Sequence, residues 1–158
     1  MANFKKTEKE LEKFADGVVR AARINLQKSK ASGGLMDSVR HELNVTKRKD
    51  FVSSFSLKFY FDDYGDYLDK GVDGTRKKQN APYSFKKETV APAHQLSMQK
   101  WAKKKGIRAR DSKGKFTNRA SAIRGLSYVL ARSVKRKGIK KTEWFTKAFT
   151  TKYKKFDE

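Results

Sequence analysis

The chain has 158 residues, and its 39 Lys and Arg against 17 Asp and Glu give a net charge of +22; that is room for one domain with a hydrophobic core and little room for two. The absence of Cys excludes a disulfide scaffold, a thiolate zinc site and a cysteine nucleophile, and fits folding in reducing cytosol. No apolar run approaches the roughly 20 residues of a bilayer span, and Met1–Lys6 carries no apolar stretch of the signal-peptide kind, so neither a membrane nor secretion is expected.

A charge this large works against a compact state unless a polyanion is near, and nucleic acid is the obvious one. The charge is uneven, with 20 basic and 4 acidic residues in 100–158 against 19 and 13 in 1–99. A hydrophobic content of 37%, with 11 Phe, 6 Tyr and 2 Trp, is enough to fold, so looseness is expected only near 1–6 and 152–158.

In chain order, Leu11, Phe14, Ala15, Val18, Ala22 and Leu26 recur at helical intervals and predict a first helix over Thr7–Gln27. Ser29–Gly34 should stop it, since its glycines permit positive φ. His41–Thr46 and Asp50–Phe61 predict an antiparallel hairpin with Lys47–Asp50 as its loop; Phe51, Phe55, Leu57, Phe59 and Phe61 share one face of the longer strand. Asp62–Asp73 is the acidic island, with five Asp and one Lys interleaved with Tyr64, Tyr67 and Leu68. Thr75–Asn80 predicts a polar basic loop, mobile when unbound.

Farther on, Ala93–Lys105 suits a short helix and Arg110–Phe116 a tight turn or hairpin. Ser121–Lys137 gives the clearest helix, with Ala122, Ile123, Leu126, Val129, Leu130 and Val134 on one side and Arg124, Tyr128, Arg132, Lys135 and Arg136 on the other. Gly138 should cap it, and a last short helix should start at Thr142–Phe145. The fold class expected is α+β, a single domain over 1–158 in which an antiparallel sheet packs against a long N-terminal helix and a basic amphipathic C-terminal helix.

The side chains that could carry chemistry do not form a reactive set. Asp62, Asp63, Asp66, Asp69 and Asp73 lack the spacing of a calcium-binding loop. His41 and His94 are too few for zinc without Cys. A Mg²⁺-dependent nuclease could use Asp62 or Asp63 with Glu88 and a Lys, but no spacing singles these out. Nor is there a phosphate-binding glycine loop, a zinc finger or an aromatic RNA-binding motif, so contact with nucleic acid would be blind to sequence. A charged helix face is also what ordinary solubility requires. The acidic island could instead meet the basic C-terminal third, within one subunit or across an interface where opposite charges set register.

Three segments resemble, in order and spacing, the tail-completion family of long-tailed phages. Ser32-Gly33-Gly34-Leu35-Met36-Asp37-Ser38-Val39 is similar to its Ser/Thr-Gly-x-Leu-x-x-Ser-Ile/Val signature. Tyr64-Gly65-Asp66-Tyr67-Leu68-Asp69-Lys70-Gly71-Val72-Asp73-Gly74 resembles its Tyr-Ala-x-Tyr-Val-Glu-x-Gly-Thr stretch, and Lys137–Ala148, with Trp144 and Phe145, resembles a closing Lys-Gly-x-x-x-x-x-Phe-Phe-x-x-Ala. The resemblance covers roughly Lys9 to Phe149, with residues 100–120 as a basic insertion.

It implies a non-enzymatic virion protein without metal or cofactor, assembled in the host cytoplasm into a homo-oligomeric ring at the head-tail junction. Portal, connector or tail proteins would be its neighbours, and DNA would pass without sequence recognition. Tail completion, tail termination and a neck ring remain alternatives, as does a monomeric, sequence-nonspecific nucleic-acid-binding accessory protein. The expected nucleic-acid-facing residues are Arg76, Lys77, Lys78, Arg124, Arg132 and Arg136. Those expected at subunit interfaces are Tyr64, Tyr67, Asp66, Asp69, Trp144 and Phe145.

Overall fold

The computed structural model describes residues 2–28, 33–48 and 51–156. The elements are α1 (Ala2–Lys28), α2 (Gly33–Ser38), β1 (Arg40–Arg48), β2 (Phe51–Tyr60), α3 (Tyr64–Lys70), β3 (Val72–Asp73), β4 (Tyr83–Ser84), α4 (Pro92–Lys104), α5 (Ala120–Lys137), β5 (Gly138–Ile139) and α6 (Trp144–Lys154). The class is α+β, with a long N-terminal helix, a small antiparallel sheet and a C-terminal helix. Where the sequence suggested one compact unit, the contacts resolve two: residues 1–69 with 142–158, and residues 70–141 between them in sequence.

In the first unit α1 buries Ala15, Val18, Val19, Ala22 and Leu26, nearly the stripe read from the sequence, with Val19 added. Small residues at positions 15 and 22 allow α6 to pack along it, with Ala148 buried in return. The helix beside α1 is therefore α6; the basic amphipathic helix α5 belongs to the other unit. Strands β1 and β2 pair antiparallel, with His41 opposite Phe59, Leu43 opposite Leu57 and Val45 opposite Phe55, so the period-2 pattern does set the register. Lys47 and Arg48, expected in the loop, still lie in β1. Lys49, Asp50 and Ser29–Ser32 fall outside the described residues, as does the side chain of Phe51.

Helices lie at or near both ends of the described residues, α1 from Ala2 and α6 up to Lys154. Residues 2–6 already belong to α1. At the other end, the Phe156 ring lies 5.0 Å from that of Phe14.

The parts of the three family-like segments that lie in this unit, 33–39, 64–69 and 142–148, meet there. The glycines expected to end helical structure instead begin α2, whose Ser38 hydroxyl donates to the Leu35 carbonyl at 2.9 Å and accepts from the Asp62 N–H at 3.1 Å. Leu35 and Val39 are thereby fixed in the core with Trp144. The acidic island folds into α3 and β3. Its Gly65 carbonyl accepts from Trp144 Nε1 at 3.0 Å, and the Asp69 carboxylate accepts from the N–H groups of Phe145 and Thr146 at 2.7 and 3.3 Å. Those are orphan donors of the first turn of α6, so Asp69 caps that helix from a distance in sequence. Phe59 and Phe61 close the core against Phe145, at ring distances of 5.5 and 5.3 Å.

The second unit has a thinner core. Strand β3 pairs parallel with β4 and antiparallel with β5, two residues each. Helices α4 and α5 pack on one another through Ala102, Ser127 and Ala131, all buried. The buried stripe of α5 is rotated from the expected one: Ser127 and Ala131 face α4, while Val129 is 63% exposed. Small side chains bring the helix backbones close and leave the larger apolar residues at the margin. Arg110–Phe116 forms the expected hairpin, joined by a bridge between its end residues, and Gly138 caps α5 with its N–H on the Val134 carbonyl.

Gly65 stands where the resembling pattern has Ala, and Trp144 where it has Phe. A Cβ on Gly65 would lie 2.8 Å from Phe61 Cδ2, 2.9 Å from Leu35 Cδ1 and 3.2 Å from Trp144 Cζ2, so the larger indole occupies volume that the missing methyl leaves. Gly65→Ala should therefore cost about 1–3 kcal/mol of stability, read as a lower urea midpoint, outweighing the gain of up to ~1 kcal/mol in helix propensity. Combined with Trp144→Phe, the loss should be smaller than the sum by about 0.5 kcal/mol or more; strict additivity would show that the two sites do not share this volume.

Candidate functional site

The charge is not shared between the units. Residues 70–141 carry 22 Lys and Arg against 3 Asp and Glu, a net +19, whereas the rest of the chain carries 17 against 14, a net +3. All three acidic residues of the second unit are used internally, and each fixes a basic segment.

Asp73 holds the loop that follows it, accepting from the N–H groups of Gln79 at 2.7 Å and Ala81 at 3.2 Å. Those two bonds favour the ionised form and lower its pKa. Asp111 shapes the hairpin tip in the same way, accepting from the N–H groups of Lys113 and Lys115, both at 2.9 Å. On that hairpin the Phe116 ring has the guanidinia of Arg110 and Arg108 over it, 4.3 and 4.8 Å from its centre.

Glu88 is the third carboxylate. Its Oε1 accepts from Arg76 Nε at 2.7 Å, and its Oε2 from Arg136 Nε at 2.8 Å and Arg132 Nε at 3.3 Å. The bonds from Arg136 and then Arg76 hold its pKa down at about 2. Lys135 adds a further cation nearby in sequence, its ammonium 4.5 Å from the centre of the Phe85 ring.

Arg76 reaches this cluster because of how α5 ends. The last carbonyls of a helix lack internal donors, and here those of Lys135 and Arg136 accept from the N–H groups of Thr75, Arg76 and Lys77 at 3.0–3.1 Å. Gly74 makes the approach possible, since a Cβ there would sit 2.0 Å from the Arg136 carbonyl oxygen. The basic loop expected to be mobile is thus stitched to the helix end. Arg76, Arg132 and Arg136 come together, Lys77 and Lys78 stay exposed on the loop, and Arg124 is exposed elsewhere on α5 with no part in the cluster.

Compared with models of known families, with curated proteins and with solved structures, the chain matches none.

The residues expected at subunit interfaces divide. Tyr64 and Tyr67 are each 45% exposed, and Asp66 and Phe145 are half-buried. Asp69 and Trp144 are interior, at 3% and 1% exposure, because one caps α6 and the other fills the core; neither presents a surface to a neighbour. The acidic island does meet the C-terminal part of the chain, but Asp69 does so through backbone N–H groups of α6 instead of through basic side chains. Among the described residues no group of three His, Asp or Glu side chains is arranged to hold a metal, and no helix is long and apolar enough to cross a membrane.

The sequence offers Glu88 only as a nuclease ligand and does not reveal it as the hub of three arginines. One signal was present: it is the sole acidic residue between Asp73 and Asp111. A cavity of about 350 Å³ also opens between α4, the hairpin and α5, floored by Ala102, Ile123 and Leu126 and rimmed by Lys103 and Arg108.

The lowered pKa of Glu88 fixes a direction for pH dependence. With its folded pKa at about 2, below its ordinary value of 4.5, its contribution is complete above the unfolded pKa and is lost as pH falls through the folded one. Amide exchange in 74–78 and at the end of α5 should accelerate as pH drops from about 5 to about 2, once corrected for intrinsic rates. Glu88→Gln should remove most of that pH dependence; an unchanged profile would show that other groups govern it.

Proposed function

We propose that this chain is a structural, non-enzymatic virion protein of a tailed bacteriophage, one subunit of an oligomeric ring at the head-tail junction around the DNA channel. The observation that carries this reading is the division of labour between the units, with +19 of the +22 charge on residues 70–141. One part of the chain is built for a polyanion and the other for packing.

The first unit supports assembly. Its sheet has two strands of nine and ten residues, so each keeps one edge without a strand partner among the described residues. Such edges recruit further strands unless something covers them. The face formed by Leu43, Val45, Phe55 and Leu57 is only half-buried, and Tyr64 and Tyr67 lie exposed on α3. Copies packed head-to-tail about a closed axis would cover these surfaces. The meeting of Leu35, Gly65, Leu68 and Trp144 also gives a physical reason why the three family-like segments occur together, since each supplies part of one core.

In this reading the basic second units line or approach the lumen and pass DNA by phosphate contact alone. The other reading, a monomeric sequence-nonspecific nucleic-acid-binding accessory protein, draws on the same +19 without needing the open sheet edges.

Mass separates the two. Light scattering and native mass spectrometry of the purified chain should show a closed multiple of 18.2 kDa, and the chain should be found in assembled particles. Single copies at every concentration, together with absence from particles, would reject the ring; salt-sensitive DNA binding by that monomer would favour the alternative.

A further inference from the structure

Glu88 does more than neutralise charge. Arg76 and Arg136 meet it through Nε, at 2.7 and 2.8 Å, and make no other side-chain hydrogen bond among the described residues. Their terminal nitrogens are therefore left for another acceptor. Arg132 is held more loosely, with Nε and Nη2 both 3.3 Å from Oε2, longer than a tight charge-assisted contact. The arginine side chains are 64%, 42% and 30% exposed for Arg76, Arg132 and Arg136, so their outer edges face solvent.

One carboxylate cannot balance three guanidinia, and the cluster keeps two positive charges. Unsupported, three guanidinia this close would repel and spread. Bonded through Nε, Arg76 and Arg136 are fixed in rotation while their terminal N–H groups remain free, and that planar fork matches the oxygens of a phosphate. Lys77 and Lys78, exposed on the same stitched loop, extend the positive surface.

We propose that Glu88 is a positioning residue for a phosphodiester site, gathering Arg76, Arg132 and Arg136 by their Nε edges so that their terminal N–H groups donate to a backbone phosphate of nucleic acid. The inference rests on the reading of the second unit as the part that meets DNA. A polymeric phosphate is the ligand because the excess charge extends over the whole unit, whereas a lone carboxylate would occupy one guanidinium fork. The site carries no base recognition, since backbone phosphates hold no sequence information.

The sign of one substitution tests it. Glu88→Gln raises the net charge, so if positive charge alone governed binding, DNA affinity would rise. If Glu88 positions the guanidinia, affinity falls. Binding of the full chain to a random-sequence duplex is measured by fluorescence anisotropy over a salt series, with circular dichroism as the folding control. At about 0.1 M monovalent salt each phosphate contact is worth roughly eightfold. Arg136→Ala should weaken binding by about that factor and flatten the salt slope by about one. Glu88→Gln should weaken it at least as much.

Equal or tighter binding by folded Glu88→Gln would overturn the proposal. Should Glu88→Gln fail to fold, Arg76→Ala, Arg136→Ala and the double variant decide: non-additive losses support a shared site, and additive ones overturn it. Failure of the unaltered chain to bind the duplex also overturns it, while the ring reading is judged separately by mass.

Discussion

The second unit must keep 22 cationic side chains in 72 residues with three carboxylates among them. Everything distinctive about that unit follows from how those carboxylates are spent. None is left as a free counter-charge on the surface. Asp73 binds backbone N–H groups of its loop, Asp111 those of its hairpin tip, and Glu88 the Nε groups of three arginines. Each bond fixes geometry locally and leaves the outward charge almost unchanged. Ordinary solubility would be served as well by carboxylates scattered among the lysines, with pairs that each contribute little.

That arrangement has a counterpart in the core. The fully buried large side chains, Leu26, Leu35, Val18, Val39 and Trp144, all belong to the first unit, and burial of each is worth about 1.5–3 kcal/mol. The second unit buries mainly Ala, Ser and one Val, and leaves Leu96, Trp101, Phe116 and Val129 exposed. Its order leans on backbone hydrogen bonds and ion pairs, which are more sensitive to pH and salt than apolar burial is.

Much of the local structure was legible in the residues. The α1 stripe, the β1–β2 register, the cap at Gly138 and the Arg110–Phe116 hairpin all follow from short-range periodicity or turn chemistry, where the determining residues are neighbours in sequence. Arg76, Arg132 and Arg136 were also singled out, from charge alone. The rotation of α5 was not legible, because it depends on which small residues α4 presents. Nor was the fate of the acidic island: nothing local among its five Asp indicates that Asp69 will cap a helix more than seventy residues away.

The sequence by itself determined the α+β class, the long first helix, the antiparallel hairpin and the amount and sign of the charge, since these depend on composition and on spacings of two to four residues. Tertiary structure alone decided that Asp69 and Trp144 are interior, that Gly65 and Trp144 share one volume, and that Glu88 gathers three arginines from segments up to 48 residues distant. Those outcomes depend on which backbone groups are left without partners once the elements pack. The last carbonyls of α5 are the clearest case, because the N–H groups that satisfy them bring Arg76 to Glu88.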